Sequence, residues 1–303
     1  MVDRNNLRLF CEHILQRYQN LDDVTSEILA DEFRDMFLSN LPVSPKTLEA
    51  VAESLGIKVS ASATPKGVRG YNDMFEGKMN IYYKNDDCRS GKENTILHEI
   101  RELMEHVFVE ICPDYSPLRT SAVHNAANRF AAAVLLPREE FQNKVYETGF
   151  DIVALGEFYW KSCAQIVIRI AEVLQGEMFY YGALYEPFKS LHRDYRVTYW
   201  SASSNEDDLS ISAQLFPRKG RSVTPGSLVN EVIQRKAPCL VERIITSEIE
   251  NVGHLTAIAQ PIMYRDKIFK VALAAVLRQD RDAIQPQIER VNPVVIPNFY
   301  QHL

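Results

Sequence analysis

The stretch Lys92-Glu93-Asn94-Thr95-Ile96-Leu97-His98-Glu99-Ile100-Arg101-Glu102-Leu103-Met104-Glu105-His106-Val107-Phe108-Val109 decides how this chain is read. Ile96, Leu97, Ile100, Leu103, Met104, Val107 and Phe108 recur at a period of about 3.6 residues, which predicts an amphipathic helix over 92–109. Ser90 and Glu93 have the S-x-x-E spacing of a capping box, and Cys112-Pro113 sets the end. The opposite side carries His98, Glu99, Glu102, Glu105 and His106. A Glu-rich face is ordinarily a solvated one. His98 and Glu102, however, stand at i and i+4, where both side chains can meet one ion while Glu99 points beside them toward a bound water. That is the logic of an HExxH site with its second histidine replaced, and it still needs a third ligand.

Ser121-Ala122-Val123-His124-Asn125-Ala126-Ala127-Asn128-Arg129-Phe130-Ala131-Ala132-Ala133-Val134-Leu135-Leu136-Pro137 offers one. The spacing predicts a helix over 121–136 that stops at Pro137, with His124 alone near the start of an otherwise small and apolar face. Ala127 and Ala131 would let this helix approach another closely. A lone histidine is also compatible with a core or capping role, so His124 by itself leaves both readings open.

Outward from these helices, residues 5–56 show helical apolar spacing, with Ser44-Pro45 opening the last helix and Gly56 closing it. Ile57 to Ser60 alternates as a strand, Pro65 to Gly70 reads as a turn, and Gly77 to Tyr83 reads as a second strand. Further helices are expected near 141–156 and 159–174. After Gly176 the texture becomes strand-like, at 178–185, 195–201, 209–215, 255–263 and 268–277, with a helix around 227–235. The strongest late feature is a hairpin that turns at Arg265-Asp266-Lys267, and a Pro-rich tail from Gln285 to Pro297 is expected to wrap a surface. The pattern is α+β, with a boundary placed near 176–190.

The 303 residues suffice for two domains. A hydrophobic share of 46% against 24% charged residues is ordinary for a soluble protein, and no apolar run approaches the roughly 20 residues of a membrane span. The N-terminal stretch lacks an export-signal core, and five scattered cysteines without a CxxC pair suggest neither a disulfide framework nor a thiolate metal site. A cytoplasmic location without a membrane partner is therefore expected. The net charge of -6 gives no global attraction to nucleic acid, so any DNA contact has to be local.

The strand 77–83, the pair His98-Glu99 with His106, and Ala127-Asn128-Arg129-Phe130-Ala131-Ala132 with Leu135-Leu136-Pro137 together resemble the ImmA/IrrE family of metallopeptidases. The similarity spans roughly 40–175. Two positions depart from the family pattern: Glu102 stands where His is expected, and His124 where Glu is expected. The departures are reciprocal and leave two imidazoles and one carboxylate, with a fourth position open to water as catalytic zinc requires.

The resemblance implies an α-rich zincin-like peptidase domain over 1–176 with a small sheet and a helix-turn-helix-like segment near 150–175. It implies a GAF-like domain over 177–303, which could take a small ligand. It further implies one zinc ion, or another divalent metal, on His98, Glu102 and His124, with Glu99 as catalytic base. The expected activity is endoproteolysis of a regulatory protein, a helix-turn-helix repressor, in a stress or mobile-element response. The alternative is a non-catalytic regulator that binds DNA or a small ligand on a peptidase-like scaffold.

Overall fold

A computed structural model describes residues 6–18, 24–38, 43–64, 67–115, 118–188, 194–203, 217–236, 239–246, 251–264 and 266–283. The chain divides into two compact units, Met1–Arg138 and Glu139–Leu303. This division falls before the change of texture near 176–190, because texture reports secondary structure whereas the later helices pack with the later strands.

The first unit holds helices α1 (Asn6–Tyr18), α2 (Ser26–Phe37) and α3 (Pro45–Ser54), strands β1 (Ile57–Ser62), β2 (Gly70–Phe75) and β3 (Lys78–Lys84), and helices α4 (Arg89–Ile111) and α5 (Thr120–Leu135). As expected, α3 is opened by Ser44, whose side chain accepts from Thr47 N at 3.1 Å, and Pro45 occupies the first turn. Gly56 follows α3 with φ 81°, a left-handed conformation that suits a residue without Cβ. The sheet order is β1-β3-β2, with β1 parallel and β2 antiparallel to β3, so β2 lies at an edge. Strand β2 is not among the expected strands, because its first residue, Gly70, also reads as the end of a turn.

Helix α4 starts at Arg89, three residues before the expected Lys92. Cys88 is its N-cap residue and makes no side-chain cap bond, so the expected capping box is not formed. Ser90 lies inside the helix, and Glu93 is buried against the Arg89 guanidinium at 2.8 Å. The predicted apolar stripe is buried throughout, from Ile96 to Phe108. The expected solvated face is only partly so, since Glu99, Arg101 and Glu105 are buried as well. The cause is that α4 is central to this unit, touching α1, α3, α5, β2 and β3.

Helix α5 packs against α4, and its Ala127 and Ala131 are both fully buried. Its other flank meets α2, where Phe33 and Phe130 pack edge to face at 5.5 Å. The Arg34 guanidinium donates to the Val134 carbonyl at 2.6 Å, a cation placed on the C-terminal turn of α5.

The second unit carries α6 (Arg138–Glu147), α7 (Ile152–Tyr159) and α8 (Cys163–Val173), then β4 (Tyr180–Pro187), β5 (Tyr195–Ser203), α9 (Leu228–Arg235), β6 (Cys239–Thr246), β7 (Asn251–Tyr264) and β8 (Lys267–Leu277). The helix expected over 141–156 is broken at Gly149 and Phe150, both left-handed, and restarts where Asp151 accepts from Val153 N and Ala154 N. The next helix begins at Cys163 rather than Tyr159, because Ser162 and Gln165 form a reciprocal capping box.

The five strands form one antiparallel sheet in the order β5-β4-β8-β7-β6. The hairpin β7/β8 pairs Tyr264 with Lys267, and Asp266 takes φ 61° in its turn. Alternation along β4 sends Tyr181, Ala183 and Tyr185 to a core shared with Leu228, Val229 and Val232 of α9. Tyr180 and Gly182 face α8, where the Tyr180 hydroxyl donates to the Val167 carbonyl at 3.0 Å. The strand expected over 209–215 and the tail 285–297 lie outside the described residues.

Candidate metal centre

Helix periodicity puts His98, Glu99 and Glu102 on one side of α4, and the close α4/α5 packing brings His124 over them. His98 Nε2 lies 3.1 Å from Glu102 Oε1 and 3.3 Å from His124 Nδ1. His124 Nδ1 lies 2.5 Å from the same Glu102 oxygen. One ligand atom from each of the three residues thus falls within 4.8 Å of the others. The two imidazole rings are nearly parallel, 23° apart at 5.5 Å between centroids. All four residues singled out in the sequence are therefore brought together, whereas His106 is exposed and stands apart from the converging donors.

The donor set fits zinc in kind and in spacing. Bonds of about 2.0–2.2 Å to a tetrahedral ion hold neighbouring donors about 3.3–3.6 Å apart. His98 Nε2 and His124 Nδ1 already stand at that spacing, at 3.3 Å, and His98 Nε2 and Glu102 Oε1 lie just inside it, at 3.1 Å. His124 Nδ1 and Glu102 Oε1, bonded to each other at 2.5 Å, would have to part by about 0.8 Å to admit the ion. Among the described residues these are the His, Cys, Asp and Glu side chains grouped for a metal.

Two asparagines complete the arrangement. Asn128, on α5 one turn after His124, places Oδ1 3.0 Å from His98 Nδ1. A proton on Nδ1 directed at this oxygen leaves the Nε2 lone pair facing Glu102 and His124, the orientation a metal needs. Asn72 of β2 donates through Nδ2 to Glu99 Oε2 at 2.6 Å and to Glu102 Oε2 at 3.0 Å. Sequence reasoning missed both. Asn128 stood inside the quoted motif at a four-residue spacing from His124, which is a usable signal. Asn72 gave none, since its strand was unread.

The charges respond to this packing. Burial raises the Glu99 carboxyl above its ordinary value, the hydrogen bond from Asn72 pulls it back, and the charge of Glu102 adds to the rise. A carboxylate tuned upward is better matched to proton transfer near neutral pH. Burial alone would raise Glu102 too, but the hydrogen bond from His98 and the two imidazoles outweigh it and hold the group below the usual carboxylate range. For His98, burial acts to lower the pKa, and the hydrogen bond and charge of Glu102 with the charge of Glu99 overcome it and raise it.

A second cluster fixes where α5 begins. Glu105 is buried, bonds Arg101 at 3.0 Å, and accepts from the Tyr115 hydroxyl at 2.7 Å and from Leu118 N at 3.1 Å. These bonds tie the connection between α4 and α5 to the helix that carries His98, upstream of His124.

Elsewhere the expected functional features are less open. The helix-turn-helix-like pair corresponds to α7 and α8, but Ile166, Val167, Arg169, Ile170, Ala171 and Val173 are buried. A recognition helix needs a free face for the major groove. A recess in the second unit beside Phe150, Asp151, Thr256 and Ile258 encloses about 10 Å³, room for one water, and Thr256 Oγ1 is buried there without a partner. No helix among the described residues is long and apolar enough to cross a membrane.

The site therefore groups helix-borne side chains that could hold one ion beside a buried carboxylate, on an α+β scaffold. Residues 52–171 match a peptidase family model described as the IrrE N-terminal-like domain. Among solved structures, a Mycobacterium tuberculosis transcriptional regulator is similar with a TM-score of 0.61 at 14% identity, over 95% of this chain and 86% of that one. That likeness is one of fold. No curated protein matches the chain.

Proposed function

We propose that the chain is a zinc-dependent endopeptidase acting on a regulatory protein, of the helix-turn-helix repressor type, in a stress or mobile-element response. The observation that carries this reading is the convergence of His98 Nε2, Glu102 Oε1 and His124 Nδ1 beside the buried Glu99. Zinc bound there would polarise the scissile carbonyl and acidify a water. Glu99 Oε2 is engaged by Asn72, so Oε1 is the oxygen that takes the proton and returns it to the leaving amine. Asn128 holds His98 in the tautomer that the metal requires. The fold shared with a transcriptional regulator agrees with a regulatory output.

In this reading the first unit has a zincin-like architecture, and the second is a GAF-like sensor for a small molecule. The antiparallel five-stranded sheet with α8 and α9 on its two faces supports the latter. The burial of α8 speaks against the alternative in which the helix-turn-helix-like pair reads DNA.

The test is metal analysis of protein purified without chelator, together with Glu99→Gln. The expected result is one zinc per chain in both forms, with cleavage of a repressor substrate by the wild type and its loss in the variant. A metal-free wild type would overturn the proposal. Loss of metal in Glu99→Gln would make Glu99 a ligand and remove its assigned role.

A further inference from the structure

Strand β2 lies against α4 more closely than a side chain at Gly70 would permit. A Cβ added there would stand 2.2 Å from Thr95 Cγ2 and 2.7 Å from the Tyr82 carbonyl oxygen. The two-residue alternation of a strand puts Gly70 and Asn72 on the same face, so this approach sets the Asn72 amide over the α4 positions 99 and 102, one turn apart. The amide nitrogen stands toward the two carboxyl groups, 2.6 Å from Glu99 Oε2 and 3.0 Å from Glu102 Oε2. Each of the two N–H bonds then serves a different glutamate.

The effect on Glu102 is a division between its two oxygens. Oε2 is taken by Asn72, and Oε1 faces His98 Nε2 and His124 Nδ1. An imidazole at position 102 would offer one lone pair to the ion. A carboxylate offers two oxygens and, left free, can bind through both and fill the place a catalytic water needs. Glu99 poses the same hazard one turn away, and the second N–H holds it in place.

We infer that Asn72 is a positioning residue that makes Glu102 a one-oxygen ligand, keeps Glu99 out of the coordination sphere, and so lets a carboxylate stand at a helix position where the related pattern has an imidazole. The inference rests on the reading of His98, Glu102 and His124 as metal ligands.

Cobalt(II) loaded into the full-length protein tests it, because the intensity of its visible absorption distinguishes four-coordinate from five-coordinate geometry. The wild type is expected to take up one equivalent and give the intense four-coordinate spectrum. Asn72→Ala and Asn72→Leu, the second close in volume to asparagine, should both lose at least about half of that intensity as a further carboxylate oxygen enters. Adding Glu102→His to either variant should restore the intense spectrum, since the imidazole has no second oxygen to control. The thermal midpoints of the metal-free variants should stay near that of the wild type, which a purely structural role for Asn72 would not allow. Unchanged spectra in both single variants, or a loss that Glu102→His does not restore, would overturn the inference and leave the metal site standing. A wild type that takes up no cobalt would instead overturn the metal reading, and this inference with it.

Discussion

His124 Nδ1 lies 2.5 Å from Glu102 Oε1, so the two positions that depart reciprocally from the related sequence pattern are in direct contact across the α4/α5 interface. Contact makes the exchange of ligand types between them physically coherent. An ion held there would meet two imidazoles and a carboxylate at one point whichever of the two helices supplied each.

Contact also makes the two positions interdependent. Glu102→His leaves three imidazoles, and His124→Glu leaves one imidazole with two carboxylates. Each single change should weaken zinc binding, and the double variant should bind better than the worse single one, with a coupling of roughly 0.5–3 kcal/mol. Additive losses in a zinc titration would show that the positions do not share an ion.

Gly70→Ala should damage the site from outside it. The added Cβ would meet Thr95 Cγ2 at 2.2 Å and a backbone oxygen at 2.7 Å, forcing β2 away from α4 and Asn72 away from both carboxylates. Overpacking of this kind costs about 1–3 kcal/mol. A lowered urea midpoint together with reduced zinc affinity is the expected outcome, whereas unchanged values for both would show that β2 yields freely.

Glu105→Ala should unseat His124 without touching it. Arg101 and Glu105 are both buried, and removing one partner of a buried pair costs about 3–5 kcal/mol. Tyr115 and Leu118 N would lose their acceptor as well, loosening the entry to α5. Denaturant unfolding should report the lost stability, and a residual zinc affinity equal to that of the wild type would argue that the connection does not position His124.

Acid should displace the metal earlier than an ordinary histidine predicts. Zinc needs neutral His98, and the metal-free protein raises the pKa of this group, so protons compete from above pH 6.5 downward. The lowered Glu102 stays ionised across that range. Affinity should therefore fall by about tenfold per pH unit for the single His98 proton once below its raised value. In the metal-free protein the sign reverses. A raised His98 contributes stability that is fully present below its unfolded pKa and is lost as pH rises through the folded one. Zinc affinity that stays flat down to pH 5 would contradict this.

How far the sequence spoke depended on whether a signal was local. The stripe from Ile96 to Phe108, the cap at Ser44 and the hairpin at Asp266 are written in short-range spacing, and each is found where it was read. His98, Glu99 and Glu102 were legible for the same reason, and His124 became so through the motif around Ala127 to Pro137. Helix α4 starts three residues before the expected Lys92 because Ser90-x-x-Glu93 imitates a cap, while Glu93 is buried against Arg89 inside the helix. Asn72 and the buried Arg101–Glu105 pair depend on which segments meet in space, and no spacing along the chain reports that.

The central claim is that one metal ion is held by α4 and α5 together. A crystal structure of zinc-loaded protein, with anomalous differences measured across the zinc edge, tests it most directly. The account predicts one peak per chain, bonded to His98 Nε2, His124 Nδ1 and Glu102 Oε1 at about 2.0–2.2 Å, with a fourth position toward Glu99 taken by solvent. No peak at this site in protein shown to be folded, or a peak bound elsewhere with the Glu102–His124 contact intact, would contradict it.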